Sequence, residues 1–146
     1  GPWPGASAER LLENITSPVC SPAYLKRHPL RRGARGLKEH VILQSTRPER
    51  REEWPLWLQA QGIQRFDGYQ QMVFESSALS YQAAVEGHGI AMAHLALVQR
   101  DLDEGRLVRL FDDTVAHNAY YLLHAEHRRM SARMKDFRAW IVTACA

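Results

Sequence analysis

The side chains best placed for ligand chemistry are hydroxyl and charged groups that directly follow two apolar runs. The runs are Val41–Leu43 and Met72–Phe74, and both are typical of strands buried in a sheet. In open α/β sheets, ligands bind beyond the carboxyl ends of the strands, and the free amides of a following helix favour anions. We therefore expect the two loops to bind a small carboxylate ligand through Ser45, Thr46, Arg47, Phe74, Glu75, Ser76 and Ser77.

The residues of these loops also allow a simpler interpretation. Serine and threonine cap helices without binding any ligand, and Ser76 and Ser77 precede a predicted helix from Ala78 to Glu86. Glu75 opposes an anionic ligand unless it points away or pairs with an ammonium group. An amino-acid-like ligand would satisfy both Glu75 and Arg47, since Arg47 can add a charge-assisted contact to a carboxylate.

Recognised motifs for catalysis and cofactor binding are absent from the sequence. There is no GxSxG or Ser-x-x-Lys motif, and Ser21 before Pro22 is typical of a helix start, with no paired base. Gly87 and Gly89 fit a helix end and a tight turn better than a dinucleotide fingerprint. The histidines and cysteines lack zinc-site spacing. We therefore expect no enzyme activity, no cofactor and no metal.

Two further clusters have a ligand-binding and a structural interpretation. Trp54 and Trp57 could stack a nucleobase, but their spacing beside Leu58 favours one helix face packed on a sheet. Between residues 47 and 53, three arginines alternate with three glutamates. Because these charges nearly cancel, the segment is expected to form a solvated ion-pair surface rather than a DNA site.

Length and composition place the chain among ordinary globular proteins. It has 146 residues, of which 45% are hydrophobic, and a net charge of +3 with a pI near 9.1. The length suits one domain with its own core. No apolar run reaches the roughly 20 residues that a membrane helix needs, so no membrane partner is expected. Cys20 and Cys145 are expected to be buried free thiols in a reducing cytosol, which predicts a cytoplasmic location.

Strand and helix patterns alternate along the chain. Strands are expected at 16–20, 41–43, 72–74, 90–93, 106–111 and 119–123. Helices are expected at 21–28, 37–40 (one turn), 52–61, 78–86, 94–102 and 131–145. This alternation predicts an α/β fold with a mostly parallel sheet.

An ordered set of longer segments carries a resemblance to a known family. Residues 74–93 read FESSALSYQAAVEGHGIAMA, and residues 97–111 include DLDEGRLVRLF. Matching pieces also occur at 3–5, 18–25, 54–58, 119–123 and 137–140. Together they resemble, over essentially the whole chain, the effector-binding domain of LysR-type transcriptional regulators, in the branch related to glycine-cleavage activators.

The resemblance implies a periplasmic-binding-protein-like (type 2) fold, with two α/β lobes and an effector cleft between them. In that arrangement, residues 1–20 are a remnant of the first lobe and the crossover. Residues 21–116 form a complete second lobe, and residues 117–146 form a return strand and a C-terminal helix of the first lobe. An N-terminal winged helix-turn-helix would be missing, so DNA would be bound only through that missing domain.

The expected function is effector sensing in a DNA-binding transcriptional regulator, with a small molecule as the partner of this chain. The alternative is a standalone small-ligand-binding protein of the same fold that does not bind DNA. A homo-oligomer is also expected, because Met134, Phe137, Trp140 and Ile141 recur at helical spacing and need a covering partner. The segment from Ala119 to Ala146 would then lie in or near the interface.

Overall fold

The computed structural model describes residues 3–112 and 114–145, without the side chains of Glu49, His117 and Asn118. Two compact units make up the chain. One unit consists of Gly1–Asn14 with Asn118–Ala146, and the other of Ile15–His117. Both predicted loops of the candidate site belong to the second unit.

The order of helices and strands follows the alternation seen in the sequence. The strands are β1 (Ala6–Cys20), β2 (Val41–Ser45), β3 (Gln70–Phe74), β4 (Ile90–His94), β5 (Val108–Arg109) and β6 (Val115–Ala125). The helices are α1 (Pro22–Arg27), α2 (Glu53–Ala60), α3 (Ser77–Val85), α4 (Leu95–Asp103) and α5 (Ala132–Ala144), with 3-10 turns at Gly33–Glu39 and Pro48–Arg50. The predicted helices are confirmed to within one or two residues, except that the turn expected at 37–40 is a longer 3-10 segment.

Serine caps begin three of these helices. The hydroxyl oxygens of Ser21, Ser76 and Ser131 accept hydrogen bonds from the backbone amide three residues later, at 3.2, 3.4 and 3.3 Å. Each bond satisfies an amide that has no partner inside the helix. At the other end of α3, Gly87 has φ of +81°, which confirms the predicted helix end and turn.

The sheet of the second unit is mixed rather than mostly parallel. The strand order is β3-β2-β4-β1-β5, and β2 pairs in parallel with both β3 and β4. Strand β1 runs antiparallel to β4 and to β5, which corrects the expectation. Helix–strand alternation fixes a parallel direction only for strands joined through a helix, and β1 precedes the first helix.

Several strands differ from their sequence pattern: β5 spans only Val108–Arg109, where 106–111 is predicted, and β6 is longer than predicted, from Val115 to Ala125. Strand β1 begins at Ala6, ten residues before the predicted start, because its polar first half contains no apolar run. Strand β3 was expected to be buried, but it lies at the edge of the sheet, where Met72 and Val73 are 42% and 55% exposed. These apolar side chains are accessible to solvent because β3 has a neighbouring strand on one side only and is incompletely covered by helices.

The central strands bury both faces, as parallel strands between two helical layers require. Successive side chains alternate between two hydrophobic clusters, with Ile42 in one and Leu43 in the other. The first cluster includes Cys20, Ile42, Trp54, Trp57, Leu58, Ile90 and Met92. The second includes Val19, Leu43, Tyr81, Ala84, Ala91, Ala93 and Val98.

The two tryptophans of α2 are core residues. Trp54 and Trp57 are 1% and 0% exposed, and their rings pack against Phe66 and Phe111 at centroid distances of 6.2 and 4.8 Å. The packing interpretation is therefore confirmed, and neither ring is available to stack a nucleobase. Cys20 is also buried, which raises the pKa of its thiol to about 12, whereas Cys145 is only half-buried.

The other unit combines the first half of β1 with β6 and α5. Strand β6 pairs with β1, and the amide of Glu126 donates to the carbonyl of Gly5 at 3.0 Å. The Arg138 guanidinium donates to both carboxylate oxygens of Glu9 at 2.6 and 2.8 Å, which joins α5 to β1. Among the described residues, no helix is both long enough and apolar enough to cross a membrane.

The close approach between Gly89 and β2 makes a prediction about stability. A Cβ atom at Gly89 would lie 2.5 Å from the carbonyl oxygen of Val41 and 3.0 Å from Leu43. We expect Gly89→Ala to lower the free energy of unfolding by about 2–3 kcal/mol, because backbone must move to relieve this clash. Urea unfolding measures the change.

Gly105→Ala is the matched control. Gly105 has φ of +69° and open space around its Cβ position, so only backbone strain of about 1 kcal/mol is expected there. Equal losses in the two variants would contradict the proposed clash.

Candidate functional site

The candidate site lies where β2 and β3 end. These strands pair in parallel with Ser45 opposite Phe74, and the amide of Thr46 donates to the carbonyl of Phe74 at 2.8 Å. Because parallel strands point the same way, the loops that leave them emerge at one edge of the sheet. The structure thus places the two predicted loops side by side rather than on opposite faces.

The three residues after β2 differ in exposure. Ser45 is buried, and its hydroxyl accepts a hydrogen bond from the amide of Arg47 at 3.3 Å, which closes a tight turn. Thr46 and Arg47 are exposed. The turn therefore presents one hydroxyl and one guanidinium to solvent at the edge of the sheet.

The residues after β3 lead directly into α3. Phe74, Ser76 and Ser77 are half-buried, and Glu75 is exposed. Ser76 caps the helix, so its hydroxyl oxygen is engaged by the amide of Leu79, as the capping interpretation predicts. Ser77 is the first residue of the nine-residue helix, so its end of the helix dipole carries partial positive charge.

A buried polar cluster beneath these loops was not predicted from the sequence. Nη1 of Arg50 donates to the two carboxylate oxygens of Glu53 at 2.9 and 3.2 Å, and Nη2 donates to the hydroxyl of Tyr81 at 3.1 Å. Nε2 of His94 lies 2.5 Å from Oε1 of Glu53, and the backbone amide of His94 donates to Tyr81 at 3.2 Å. We call these four residues the buried polar cluster.

Burial makes this cluster energetically important. The side chains of Arg50, Glu53 and His94 are 11%, 9% and 7% exposed. Burial alone would lower the pKa of Arg50, but Tyr81 and Glu53 outweigh it and raise that pKa above its ordinary value. Burial also raises the pKa of Tyr81, which keeps its hydroxyl protonated. The cluster links the loop after β2 to α2, α3 and the end of β4.

This finding corrects part of the expectation of a solvated ion-pair surface between residues 47 and 53, of which Arg47, Arg51 and Glu52 are exposed. Arg50 and Glu53 point inward instead, because the first turn of α2 packs against the end of the sheet. The i, i+3 spacing of Arg50 and Glu53 could have predicted that these two side chains form an ion pair. The sequence held no signal for Tyr81 and His94, which reach the pair only through tertiary packing.

Within the described ranges, no group of three or more histidine, cysteine, aspartate or glutamate residues is arranged to hold a metal ion. The site thus offers hydroxyls, backbone amides, a guanidinium and a carboxylate. In ligand pockets of other proteins, groups of these kinds fix the orientation of small molecules.

The buried ion pair makes a prediction about stability. Arg50→Met or Glu53→Met alone should lower the free energy of unfolding by about 3–5 kcal/mol, because each leaves one buried charge without its partner. The double variant should recover most of that loss, since it removes both charges. Urea unfolding of the two single variants and the double variant measures the coupling.

The exposed pair of Arg100 and Glu104 provides the control. These side chains are 83% and 42% exposed, and their ion pair spans 2.7 Å. Arg100→Met should change stability by less than about 1 kcal/mol. If Arg50→Met is no more costly than Arg100→Met, the cluster does not have the importance assigned to it.

Curated relatives that resemble this chain are bacterial transcriptional regulators. The glycine cleavage system transcriptional activator of Escherichia coli strain K12 is 31% identical over 147 residues. The HTH-type transcriptional activator AmpR of Citrobacter koseri is 34% identical over 144 residues. Each alignment covers 97–100% of this chain but 47% of the relative, so the chain spans about half the length of these proteins.

Solved structures show the same fold. The effector domain of AmpR from Pseudomonas aeruginosa matches with a TM-score of 0.80 and 30% identity, covering 99% of this chain and 68% of that one. The regulatory domain of CrgA, a LysR-type regulator from Neisseria meningitidis, also matches, with a TM-score of 0.74. The fold is therefore the periplasmic-binding-protein-like type 2 fold of such effector domains. The family model for the LysR substrate binding domain matches residues 1–146, and the chain belongs to that family.

Proposed function

We propose that this chain is the effector-sensing part of a LysR-type DNA-binding transcriptional regulator and binds a small carboxylate or amino-acid-like molecule. The observation that carries the proposal is that the loops after β2 and β3 are adjacent. The backbone amide of Thr46 donates a hydrogen bond to the carbonyl of Phe74 at 2.8 Å. One edge of the sheet thus combines hydroxyl groups, the amino end of α3 and the charged side chains Arg47 and Glu75.

The chemistry of this edge favours a zwitterion. A carboxylate would meet the partial positive charge of the α3 terminus, the hydroxyl of Ser77 and the guanidinium of Arg47. An ammonium group would meet the exposed carboxylate of Glu75. The relatives are regulators rather than enzymes, which supports a binding function without catalysis.

Three features of the parent protein complete the proposal. DNA is bound through an N-terminal domain outside this chain, because the relatives are HTH-type activators about twice as long. A regulator that binds bacterial DNA works in the cytoplasm. The unit of residues 15–117 corresponds to the second lobe of the effector domain and the unit of residues 1–14 and 118–146 to the first lobe, which moves the expected boundaries from 20/21 and 116/117 to 14/15 and 117/118. A standalone binding protein without a DNA-binding domain is the alternative.

The ligand class is tested by thermal shift against glycine, the other amino acids, simple carboxylates and the matching amides. We expect at least one carboxylate to raise the melting temperature, and its amide to have no effect, because the amide has no negative charge. Arg47→Gln and Ser77→Ala should each weaken binding of that carboxylate about tenfold. Arg51→Gln, an exposed arginine of the same loop, is the control. Equal stabilisation by amides would contradict the proposed ligand class.

DNA binding provides a second test. Because the chain has a net charge of only +3, it should bind DNA no more tightly than about 10⁻⁶ M and lose affinity steeply with salt. A gel shift over a salt series measures this. Nanomolar, sequence-selective binding by this chain at physiological salt would show that DNA recognition resides here and not in another domain.

We also propose a homo-oligomer in which α5 lies at or near the interface. Met134, Phe137 and Trp140 are 43%, 51% and 61% exposed, and Met134 and Phe137 line a cavity of about 570 Å³ next to β6. Burying these three side chains against a second copy of the chain would stabilise the oligomer by roughly 1.5–3 kcal/mol for each side chain.

Light scattering tests this interface. Phe137→Ser with Trp140→Ser should shift the chain towards the monomer, because it removes two apolar contacts. Val73→Ser is the control, since Val73 is also exposed but lies on the edge strand β3 of the other unit. A monomeric wild-type chain at high concentration would contradict the proposal, as would dissociation by Val73→Ser alone.

A further inference from the structure

Beneath the candidate site, the structure contains a small cavity whose role none of the foregoing assigns. Its volume is about 10 Å³, which is room for one water-sized group. Ser45 and Ser77 form part of its wall and also belong to the candidate site, so the cavity adjoins the proposed ligand position. The other polar residues of the wall are Gln44, Arg50, Glu53, Trp54 and Ser80.

Arg50 brings spare hydrogen-bond donors to this cavity. Its guanidinium has five N–H groups. Nη1 donates to both carboxylate oxygens of Glu53, and one hydrogen of Nη2 is donated to the hydroxyl of Tyr81. Nε and the second hydrogen of Nη2 have no acceptor among the described residues. Since the side chain is 11% exposed and not wholly sealed from solvent, these N–H groups can donate to a water or to a ligand.

Trp54 adds an independent observation. It is 1% exposed, lines the same cavity, and its indole Nε1 is buried with no hydrogen-bond partner among the described residues. Buried polar atoms in folded proteins nearly always have a partner, so this donor points to an acceptor that the protein itself does not supply.

The carboxylate of Glu53, the one acidic group of the wall, is already engaged by protein side chains. Both carboxylate oxygens of Glu53 accept from Arg50, and Oε1 also lies 2.5 Å from Nε2 of His94. The hydroxyl of Ser80 donates to the carbonyl of Ser77 at 2.8 Å. The Glu53 carboxylate is thus occupied, whereas the indole N–H of Trp54 can still donate, which favours a hydrogen-bond-accepting oxygen over an ammonium group.

We infer that this cavity is the terminal subsite of the effector site and takes one carboxylate oxygen of the ligand, which Arg50 and Trp54 recognise. The inference rests on the proposed function and refines it. Arg50 is then a second cation, besides the exposed Arg47, that contacts the acidic group. Glu53 and Tyr81 are positioning residues, because they hold the guanidinium in place.

The test compares variants of the full chain that keep the cavity while removing donors. Arg50→Gln combined with Glu53→Gln removes the guanidinium without leaving an unpaired buried charge, and Trp54→Phe removes the indole N–H while keeping a ring on Phe66. Arg51→Gln is the control, because Arg51 is exposed and lies one residue away. Circular dichroism establishes that each variant folds.

Titration uses whichever carboxylate of the panel stabilises the wild type. The double variant should lose about tenfold or more in affinity, and Trp54→Phe should lose about threefold or more, since each removes hydrogen bonds to a charged oxygen. Arg51→Gln should change affinity less than about twofold. Unchanged affinity in the folded double variant would overturn the inference while leaving the proposed ligand class intact.

A crystal structure of the wild-type chain grown in formate separates the two possible failures. If no panel member binds, the proposed ligand class fails, and the crystal decides the subsite alone. We expect a formate oxygen in the cavity, accepting from Arg50 or from Nε1 of Trp54. A cavity that is dry or holds only water overturns the inference.

Discussion

The parallel pairing of β2 with strands on both sides is the constraint on which the rest of the structure depends. Since parallel neighbours must be joined by crossovers, helices cover both faces of the sheet and every central strand must be apolar on each side. Ile42 and Leu43 meet this requirement by entering different hydrophobic clusters. The same pairing sends β2, β3 and β4 in one direction, so their following loops share one edge, where hydroxyls and helix amides collect.

The buried polar cluster ties that edge to the body of the second unit. Arg50 belongs to the loop after β2, Glu53 to α2, Tyr81 to α3 and His94 to the end of β4. Polar contacts of 2.5–3.2 Å therefore connect these four elements, so a displacement of one of them strains its contacts with the others. In a sensor, such a link keeps the binding groups in position before the ligand arrives, which reduces the entropy lost on binding.

In the unit formed by β6, α5 and the first half of β1, the helix contributes little apolar burial. The helix has no buried residue among those described, and Phe137 and Trp140 contact each other at 5.7 Å while remaining exposed. An ion pair between Glu9 and Arg138 supplies directional contact where little apolar surface is covered. Apolar side chains left open in this way are typical of surfaces that meet another chain or segment.

The sequence by itself determined the features that depend on near neighbours. Ser21, Ser76 and Ser131 marked helix starts because a cap needs only the amide three residues on, and the apolar runs marked β2 and β4 because buried strands need apolar side chains throughout. The strand ends likewise placed the seven predicted loop residues at one edge of the sheet, and their role in binding stays a prediction. Only the tertiary structure decided the antiparallel direction of β1, the exposure of β3 and the inward orientation of Arg50 and Glu53. Each of these depends on residues such as Tyr81 and His94 that are distant in sequence, and no local pattern encodes which of them will meet.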